Sequence, residues 1–357
     1  MTEFATKAAK RPVIGKILGA AALAAVLALP GMVRAGESEA DAGGMIRPDA
    51  LSLSPAAGAA TAQPQEKQTP FYLDDAAAPA PEAPNIHGFA SISFNTAYIT
   101  PRGLVVVKNG VSIQPVGGLV LPIGDIGFLK NFTAVTGVWN NIATAQNDPA
   151  VGPWNEMDYF ASFSANVLKD FSLTFTYSPW NFPNSTLNKP HTEHNIDLKI
   201  SYDDSGFWNK NFALNPYVDL WYEISGSSTV ALGSNGNTGY FELGVVPTYT
   251  VKAIPDYPIT LTFPTYFSVG PKDYWGRGGT GLGVDASSDG NFGLASIAIN
   301  GSIPLAFIPT RYGHWHGDLG VKYEYLINST LLRAGTALTG NTERSVWIGS
   351  AGFGVNF

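Results

Sequence analysis

The sequence predicts an all-β protein: a transmembrane, antiparallel, up-and-down β-barrel of about twelve strands, preceded by an export signal and a disordered linker. Three observations support this prediction: the composition, a period-two alternation of apolar and polar residues from residue 87 onward, and the aromatic end of the chain. Only 14% of the 357 residues are charged, whereas an ordinary soluble domain carries about 25%. This composition is typical of a wall that has lipid on one side and water on the other.

Residues 1–35 have the three parts of a secretory signal peptide. The first part is a basic segment that contains Lys7, Lys10, Arg11 and Lys16. An apolar run of about a dozen residues, 18–29, is followed by Val33-Arg34-Ala35, which supplies small residues for cleavage. The run is shorter than the roughly 20 residues that a membrane-spanning helix needs. We therefore expect export through the Sec pathway.

Residues 36–86 are rich in alanine, proline and glycine and show no apolar periodicity. Such a segment buries too little apolar surface to offset the conformational entropy that ordering would cost. We expect a disordered periplasmic linker here, followed by the barrel in residues 87–357.

From residue 87, apolar and polar side chains alternate as they do on a β-strand. In 193–202, Leu198 and Ile200 share one face, while Asp197 and Lys199 share the other. Because the charged face cannot point into lipid and the apolar face cannot point into water, the segment lies between lipid and a wet lumen. Twelve such segments are predicted, near 88–99, 111–121, 131–141, 156–167, 170–177, 193–202, 211–224, 239–251, 258–269, 292–305, 315–326 and 344–357. The alternative counts are ten and fourteen.

Prolines interrupt several of the predicted strands. A closed barrel has no free edge at which a missing backbone N–H is harmless, so bulges or local gaps in the hydrogen-bond ladder are expected at these positions. The residues concerned are Pro115, Pro216, Pro247, Pro264 and Pro304.

The last segment of the chain alternates as well and ends on an aromatic residue. Its outward-facing positions include Trp347, Phe353, Val355 and Phe357. This pattern resembles the C-terminal signal that the barrel-assembly machinery reads, which makes that machinery and outer-membrane lipid the expected partners. A soluble β-sandwich, the alternative fold, also alternates but requires neither this ending nor aromatic residues at both ends of its strands.

Four stretches carry a resemblance to a known family. They are Asn-Thr-Ala-Tyr-Ile-Thr-Pro-Arg-Gly at 95–103, Gly-Val-Trp-Asn at 137–140, Glu-Met-Asp-Tyr at 156–159 and Tyr-Phe-Glu-Leu-Gly-Val-Val-Pro at 240–247. In these stretches the chain resembles the TorF-like porins and related outer-membrane barrels, with Pro101 where the family usually has an aromatic residue. The resemblance implies an outer-membrane location and a pore, and it implies neither a substrate nor functional residues.

The predicted water-facing rows are acidic. They contain Glu156, Asp158, Glu193, Asp197, Asp219, Glu223, Glu242, Asp318 and Glu324, with Lys199 and Lys322 as the opposing cations. By Coulomb bias, such a lumen would weakly favour cations or pass small neutral solutes. In the alternative interpretation, the carboxylates pair with Lys199, Lys322 and loop arginines and brace a plugged barrel with a structural or tethering role.

A barrel hydrolase such as a phospholipase is the third interpretation. It needs a serine and a histidine within hydrogen-bond reach near the outer interface, but His194 is predicted to face lipid without a facing serine. His314, His316 and Asp318 fall near a predicted periplasmic turn, far from the outer rim. We therefore predict no enzymatic activity, no cofactor and no metal site. A chain with a formal net charge of −7 also lacks the basic surface that nucleic acids require.

Overall fold

The computed structural model describes residues 86–145, 152–184, 192–208, 212–225, 238–252, 257–275 and 290–357. The predicted signal peptide and all of the predicted linker except Ile86 lie outside these ranges. The described residues thus belong almost entirely to the predicted barrel.

Within these ranges, fifteen strands form one antiparallel sheet and two form a separate hairpin. The sheet strands are β1 (His87–Asn95), β4 (Ser112–Ile126), β5 (Leu129–Ala143), β6 (Trp154–Leu168), β7 (Phe171–Asn181), β8 (Thr192–Tyr202), β9 (Phe212–Ala213), β10 (Pro216–Ser225), β11 (Thr238–Val245), β12 (Thr248–Val251), β13 (Ile259–Thr262), β14 (Thr265–Val269), β15 (Phe292–Pro304), β16 (His314–Leu326) and β17 (Ser345–Asn356). The hairpin strands are β2 (Tyr98–Ile99) and β3 (Val105–Val107). Three helical segments complete the described part: α1 (Lys272–Trp275), a 3-10 turn (Thr310–Tyr312) and α2 (Ser329–Thr339).

The sheet closes on itself because β1 pairs with β4 on one side and with β17 on the other. Six of the sheet strands are short and form three consecutive pairs: β9 with β10, β11 with β12, and β13 with β14. The two strands of a pair lie end to end, so each pair fills a single strand position in the barrel. The barrel therefore has twelve strand positions, which confirms the predicted fold. His87 and Phe357 lie at the same end of it, where Gly88 and Phe357 exchange backbone hydrogen bonds of 2.6 and 2.9 Å. We call the opposite end distal.

The two faces of the barrel wall differ in chemistry, as the alternation predicts. Leu198 is 38% exposed on the outside, whereas the adjacent Asp197 is 2% exposed on the inside. The same outward row continues through Phe175 and Leu220, which pair with Leu198 across β7, β8 and β10. An apolar outer face around a polar interior is the arrangement that a lipid bilayer requires.

Prolines divide three neighbouring strand positions at one level of the wall. The breaks lie before Pro216, at Val246-Pro247 and at Phe263-Pro264. The pairing register is the same on both sides of each break. The ladder also continues across two of the breaks, where Pro247 O accepts from Phe263 N at 2.8 Å and Pro264 O accepts from Ala298 N at 2.8 Å. The strands are thus interrupted at these three prolines, but backbone hydrogen bonds bridge the interruptions, including one of 2.9 Å from Val246 N to Leu214 O.

The two remaining prolines do not divide their strands. Pro115 lies within β4 opposite Ile92, and Pro304 is the last residue of β15, opposite His316. On the β5 side, however, the pairing passes from Ile113 to Val116 and skips Gln114 and Pro115, so the expected local gap in the ladder is present at Pro115. Proline removes one N–H donor but leaves its carbonyl and the flanking pairs in place, and here these suffice to keep the strand continuous.

Two glycines of β4 and β5 make room for phenylalanine rings, Gly118 for Phe89 and Gly137 for Phe160. Gly137 pairs with Gly118 on one side and with Phe160 on the other. A methyl group on Gly137 would lie 2.5 Å from Gly117 O and 2.5 Å from Phe160 Cζ. Phe160 is only 2% exposed, so its ring has little room to move aside.

Gly137→Ala is expected to destabilise the folded barrel, because it overpacks this contact at a cost of about 1–3 kcal/mol. The measurement is the thermal midpoint at which the detergent-folded protein loses its heat-modifiable migration on a gel. Gly317→Ala is the matched control, since its added methyl group would meet Leu305 at an ordinary 3.6 Å. Equal midpoints for the two variants would contradict the packing argument.

Candidate functional site

The distal half of the barrel interior is occupied by the segment between β1 and β4. We call residues 96–110 the plug hairpin; it contains β2 and β3 and turns back at Gly103, whose φ of +98° favours glycine. Leu104 and Val105 are 2% and 0% exposed. Side chains this apolar and this buried show that the hairpin folds into the barrel, away from bulk solvent.

Helix α2 closes the distal half against the plug hairpin. Its apolar residues recur at helical spacing, with Leu331, Ala334 and Leu338 buried at 0%, 0% and 5% exposure. The helix begins after Asn328, whose side chain accepts a hydrogen bond of 3.0 Å from Thr330 N, and ends at Gly340 in the left-handed conformation. Its buried side packs against β3, so helix and hairpin form one apolar unit.

Inward-facing aromatic side chains line the wall around this unit. Trp180 and Trp221 have ring centroids 5.9 Å apart, and Trp221 stacks on Tyr240 at 6.2 Å. Tyr240 in turn lies 5.6 Å from Trp275 of α1. Trp275 is fully buried and donates from Nε1 to Asn291 O at 2.7 Å. The start of the segment 271–291 is thus folded into the barrel; residues 276–289 lie outside the described residues.

Arg102, near the tip of the plug hairpin, makes the main polar contact with the wall. Its Nη1 lies 3.1 Å from Glu193 Oε2 and 3.7 Å from Glu223 Oε2. Its Nη2 donates to Asn195 Oδ1, and the guanidinium carbon lies 4.5 Å from the centre of the Trp180 ring. Arg102 is 1% exposed. One planar cation therefore contacts three wall strands, β7, β8 and β10, at the same time.

The groups around Arg102 favour the charged form of its guanidinium. Burial alone lowers the pKa of Arg102, but Tyr274, Glu193 and Glu223 outweigh this effect and raise the pKa above its usual value. A charge this deeply buried is tolerable only when it is paired and hydrogen-bonded. Removing the guanidinium would leave buried carboxylates without their cation, which is why a loss of Arg102 should cost more than the loss of an exposed ion pair.

Tyr98 provides a second polar contact between hairpin and wall. Its hydroxyl donates to Glu156 Oε2 at 2.8 Å, and its ring lies 5.5 Å from that of Trp139. The ends of the hairpin are fixed to the rim of the barrel. Thr96 exchanges two hydrogen bonds with Gly349, of 3.0 and 2.9 Å, and Val111 exchanges two of 2.9 Å with Thr144.

The four stretches that resemble the TorF-like porins meet at this site. Tyr98 and Arg102 belong to the first stretch and Trp139 to the second, while Glu156 and Tyr240 come from the third and fourth. They are far apart in the sequence but surround the plug hairpin in the fold. The buried ionic and hydrogen-bonded contacts between the plug hairpin and the wall make the plugged distal lumen the candidate functional site.

All eleven predicted lumen residues lie on the inner face of the wall. Lys322 has a side chain 13% exposed, and the other ten residues are at most 8% exposed: Glu156, Asp158, Glu193, Asp197, Lys199, Asp219, Glu223, Glu242, Asp318 and Glu324. The structure separates them into groups. Glu156, Asp158, Glu193 and Glu223 surround the plug hairpin, and Lys199, Asp219 and Glu242 share one row across β8, β10 and β11.

The cations of the lumen lie close to specific partners. Lys322 Nζ is 2.5 Å from Glu324 Oε1, and Lys199 Nζ lies 4.1 Å from the centre of the Tyr217 ring. Toward the end opposite the plug, His316 Nδ1 contacts Asp318 Oδ2 at 2.9 Å. Some carboxylates are therefore paired, as the bracing interpretation predicts, and two of them, Glu193 and Glu223, pair with a loop arginine, Arg102.

Several residues of the site are missed by reasoning from the sequence. Arg102 falls in a predicted loop, and Trp180 follows the predicted strand 170–177. The prediction that Tyr98 lies in the strand 88–99 is wrong, since β1 ends at Asn95 and Tyr98 belongs to the plug hairpin. Period-two alternation identifies wall residues only, so it gives no information about a loop that folds inward. The available signal is the position of Arg102 within a resembling stretch.

The histidines discussed above lie on different strands of the described part of the chain, His194 on β8 and both His314 and His316 on β16. His194 accepts or donates a 2.7 Å hydrogen bond with Tyr177 on the outer face. Among the described residues, no group of three or more histidine, aspartate or glutamate side chains is arranged to hold a metal ion. Nor does this part of the chain contain a helix long and apolar enough to cross a membrane.

The residues of the predicted assembly signal lie on the outer face. Trp347, Phe353 and Phe357 are 66%, 46% and 64% exposed, and Val355 shares their row, opposite Trp315 and Ala90. Their recognition by the barrel-assembly machinery stays a prediction.

No protein-family model and no curated protein matches the sequence. Solved structures similar to this chain include the COG4313 outer membrane channel from Pseudomonas putida F1, with 11% identity, coverage of 80% of this chain and 100% of that chain, and a TM-score of 0.43. The NanC porin is 12% identical, with coverage of 75% of this chain and 98% of that chain and a TM-score of 0.37. The translocator domain of the autotransporter NalP from Neisseria meningitidis is 12% identical, with coverage of 76% of this chain and 88% of that chain and a TM-score of 0.36. Because these TM-scores and sequence identities are low, the fold is assigned from the strand pairing within this chain and not from the similarity.

Tyr98→Phe is expected to loosen the plug hairpin, because a buried carboxylate loses a hydrogen bond worth about 1–3 kcal/mol. The measurement is the rate at which a protease cleaves within residues 96–110 of the folded protein, which should rise. Tyr159→Phe is the control, since Tyr159 is 49% exposed on the outer face and should leave the rate unchanged. Identical rates for wild type and Tyr98→Phe would show that this hydrogen bond does not hold the hairpin.

Proposed function

We propose that this protein is a porin-like channel of the bacterial outer membrane that passes small solutes or ions, with a weak preference for cations. The observation that carries the proposal is the closed twelve-stranded wall, apolar outside and lined inside by carboxylates. A wall of this kind spans lipid without unsatisfied backbone groups and encloses a polar route.

The charge of the lumen supports the preference for cations. Nine inward-facing carboxylates oppose Lys199, Lys322 and Arg102, which are the cations of the wall and plug considered above. Fixed charges of one sign in a narrow, low-dielectric lumen attract ions of the opposite sign and repel ions of the same sign. The excess of carboxylates should therefore bias permeation toward cations.

The outer membrane is the membrane that suits this fold and this sequence. The predicted signal peptide 1–35 and linker 36–86 would bring the chain through the inner membrane. The exposed aromatic row of β17 would then present the assembly signal.

A plugged barrel with a structural or tethering role is the second candidate. The specific observation in its favour is the apolar unit of plug hairpin and α2, which fills the distal half of the interior. The two candidates differ in one measurable property, since a permanently plugged barrel carries no current.

The triple variant Asp197→Asn, Asp219→Asn, Glu242→Gln is expected to shift the reversal potential of the channel toward zero under a KCl gradient. The reason is that three buried carboxyl groups are removed from the lumen while the side-chain shapes are kept. The measurement is the current across a planar bilayer that contains the refolded full-length mature protein.

Asp125→Asn is the control for this experiment. Asp125 is an exposed carboxylate with a 2.8 Å contact to Lys130, and its loss should leave the reversal potential unchanged. An unaltered potential in the triple variant would refute the charge argument. A folded wild-type barrel that never conducts would favour the plugged candidate.

A further inference from the structure

We propose that the plug hairpin is a gate and that Arg102 is the latch that keeps it closed. In the latched state, the guanidinium joins the hairpin to the wall. When it leaves Glu193 and Glu223, the hairpin withdraws and widens the distal lumen. This inference rests on the proposed channel function and specifies how that channel is regulated.

The plug hairpin is attached to the barrel at its two ends. Both ends of the hairpin are fixed to the rim, at Thr96 by Gly349 and at Val111 by Thr144. Between these points the hairpin has no strand neighbour in the barrel sheet, since β2 and β3 pair only with each other among the described strands. It can therefore move as a unit without breaking the barrel ladder.

The contact between Arg102 and the wall is ionic. A hairpin meant only to fill the lumen would be held as well or better by an apolar side chain, because burying an ion pair costs about as much as the pairing returns. Arg102 instead places a cation between Glu193 and Glu223 and over the Trp180 ring. Such a contact is strong while all of its members are in place, and it fails when one is removed.

The latch lies at the tip of the plug hairpin. Arg102 adjoins Gly103 at the turn of the hairpin, the point farthest along the chain from the fixed ends. Gly103 has little space around it, since a methyl group there would lie 2.7 Å from Leu331 and 2.8 Å from Leu294. The turn is thus seated against α2 and β15 while Arg102 engages β7, β8 and β10 on another side.

The test uses a reversible lock. The chain contains no cysteine, and the Cβ position of Gly335 in α2 lies 3.4 Å from Val105 Cβ in the hairpin. This separation is close to the roughly 3.5–4.5 Å of disulfides. The double variant Val105→Cys, Gly335→Cys should therefore join the hairpin to α2 when oxidised and release it when reduced.

The latch is then removed in this background by Arg102→Met, and single-channel currents of the full-length mature protein are recorded with and without reductant. With reductant, the mean current should exceed that of the same lock with Arg102 intact by roughly tenfold or more, as expected for the loss of one member of a buried ion pair. Oxidation should return the current to the level with Arg102 intact.

Two controls keep the result interpretable. The lock with Arg102 intact should carry the same current in both redox states. Arg102→Lys keeps the charge but loses the planar fork, so it should give an intermediate current, and it replaces Arg102→Met if that variant fails to reach the folded, heat-modifiable form.

Two results would overturn the latch. One is equal current in wild type and in both Arg102 variants, which leaves the channel function standing. The other is a raised current that oxidation does not reverse, which would assign the effect to the wall. If every folded variant, including the reduced Arg102→Met lock, carries no current, the proposed channel function itself fails.

Discussion

The constraint on which the structure depends is that lipid cannot hydrogen-bond to a peptide group. A sheet in a membrane therefore has to close, and here β1 closes it by pairing with both β4 and β17. Closure fixes two distinct surfaces, because side chains alternate across each strand. The outer surface must be apolar, and the inner surface then receives the polar side chains of the wall together with the aromatic residues that pack on the plug hairpin. The carboxylate-rich lumen is the result of this division.

Closure also explains how the wall tolerates its prolines. The breaks at Pro216, Val246-Pro247 and Phe263-Pro264 lie side by side and keep the register. A single displaced strand would leave its neighbours without partners, whereas three adjacent strands interrupted at one level can bend together. Backbone donors beside the breaks, such as Phe263 N and Ala298 N, still reach carbonyls across them.

The wall could be predicted from the sequence because its rule is local. Period two places Asp197 inside and Leu198 outside irrespective of the rest of the fold, and the same rule places Lys322 and Glu324 on one face. It could not predict the plug hairpin, since an inward-folded loop is defined by contacts distant in sequence, and it does not apply to α2, whose Leu331, Ala334 and Leu338 follow a helical period instead. Arg102 and Glu193 are 91 residues apart, and no local period relates them.

The interior combines two solutions to the problem of burying charge. Lys322 and Glu324 neutralise each other within one strand, which braces the wall and leaves nothing to move. Arg102 neutralises wall carboxylates from a separate segment, so the same electrostatic need ties a loop to the barrel. The account thus assigns the wall to spanning the membrane and the plug hairpin to limiting passage through it.

The most direct test of this account is to replace residues 97–110 with Asn-Gly, a pair suited to a two-residue hairpin turn, and to record the bilayer current. Asn95 and Ser112 are already paired, so β1 and β4 can be joined there without disturbing the wall. The account predicts a folded, heat-modifiable barrel with a conductance well above that of the wild type. A folded barrel with unchanged or absent conductance would contradict it.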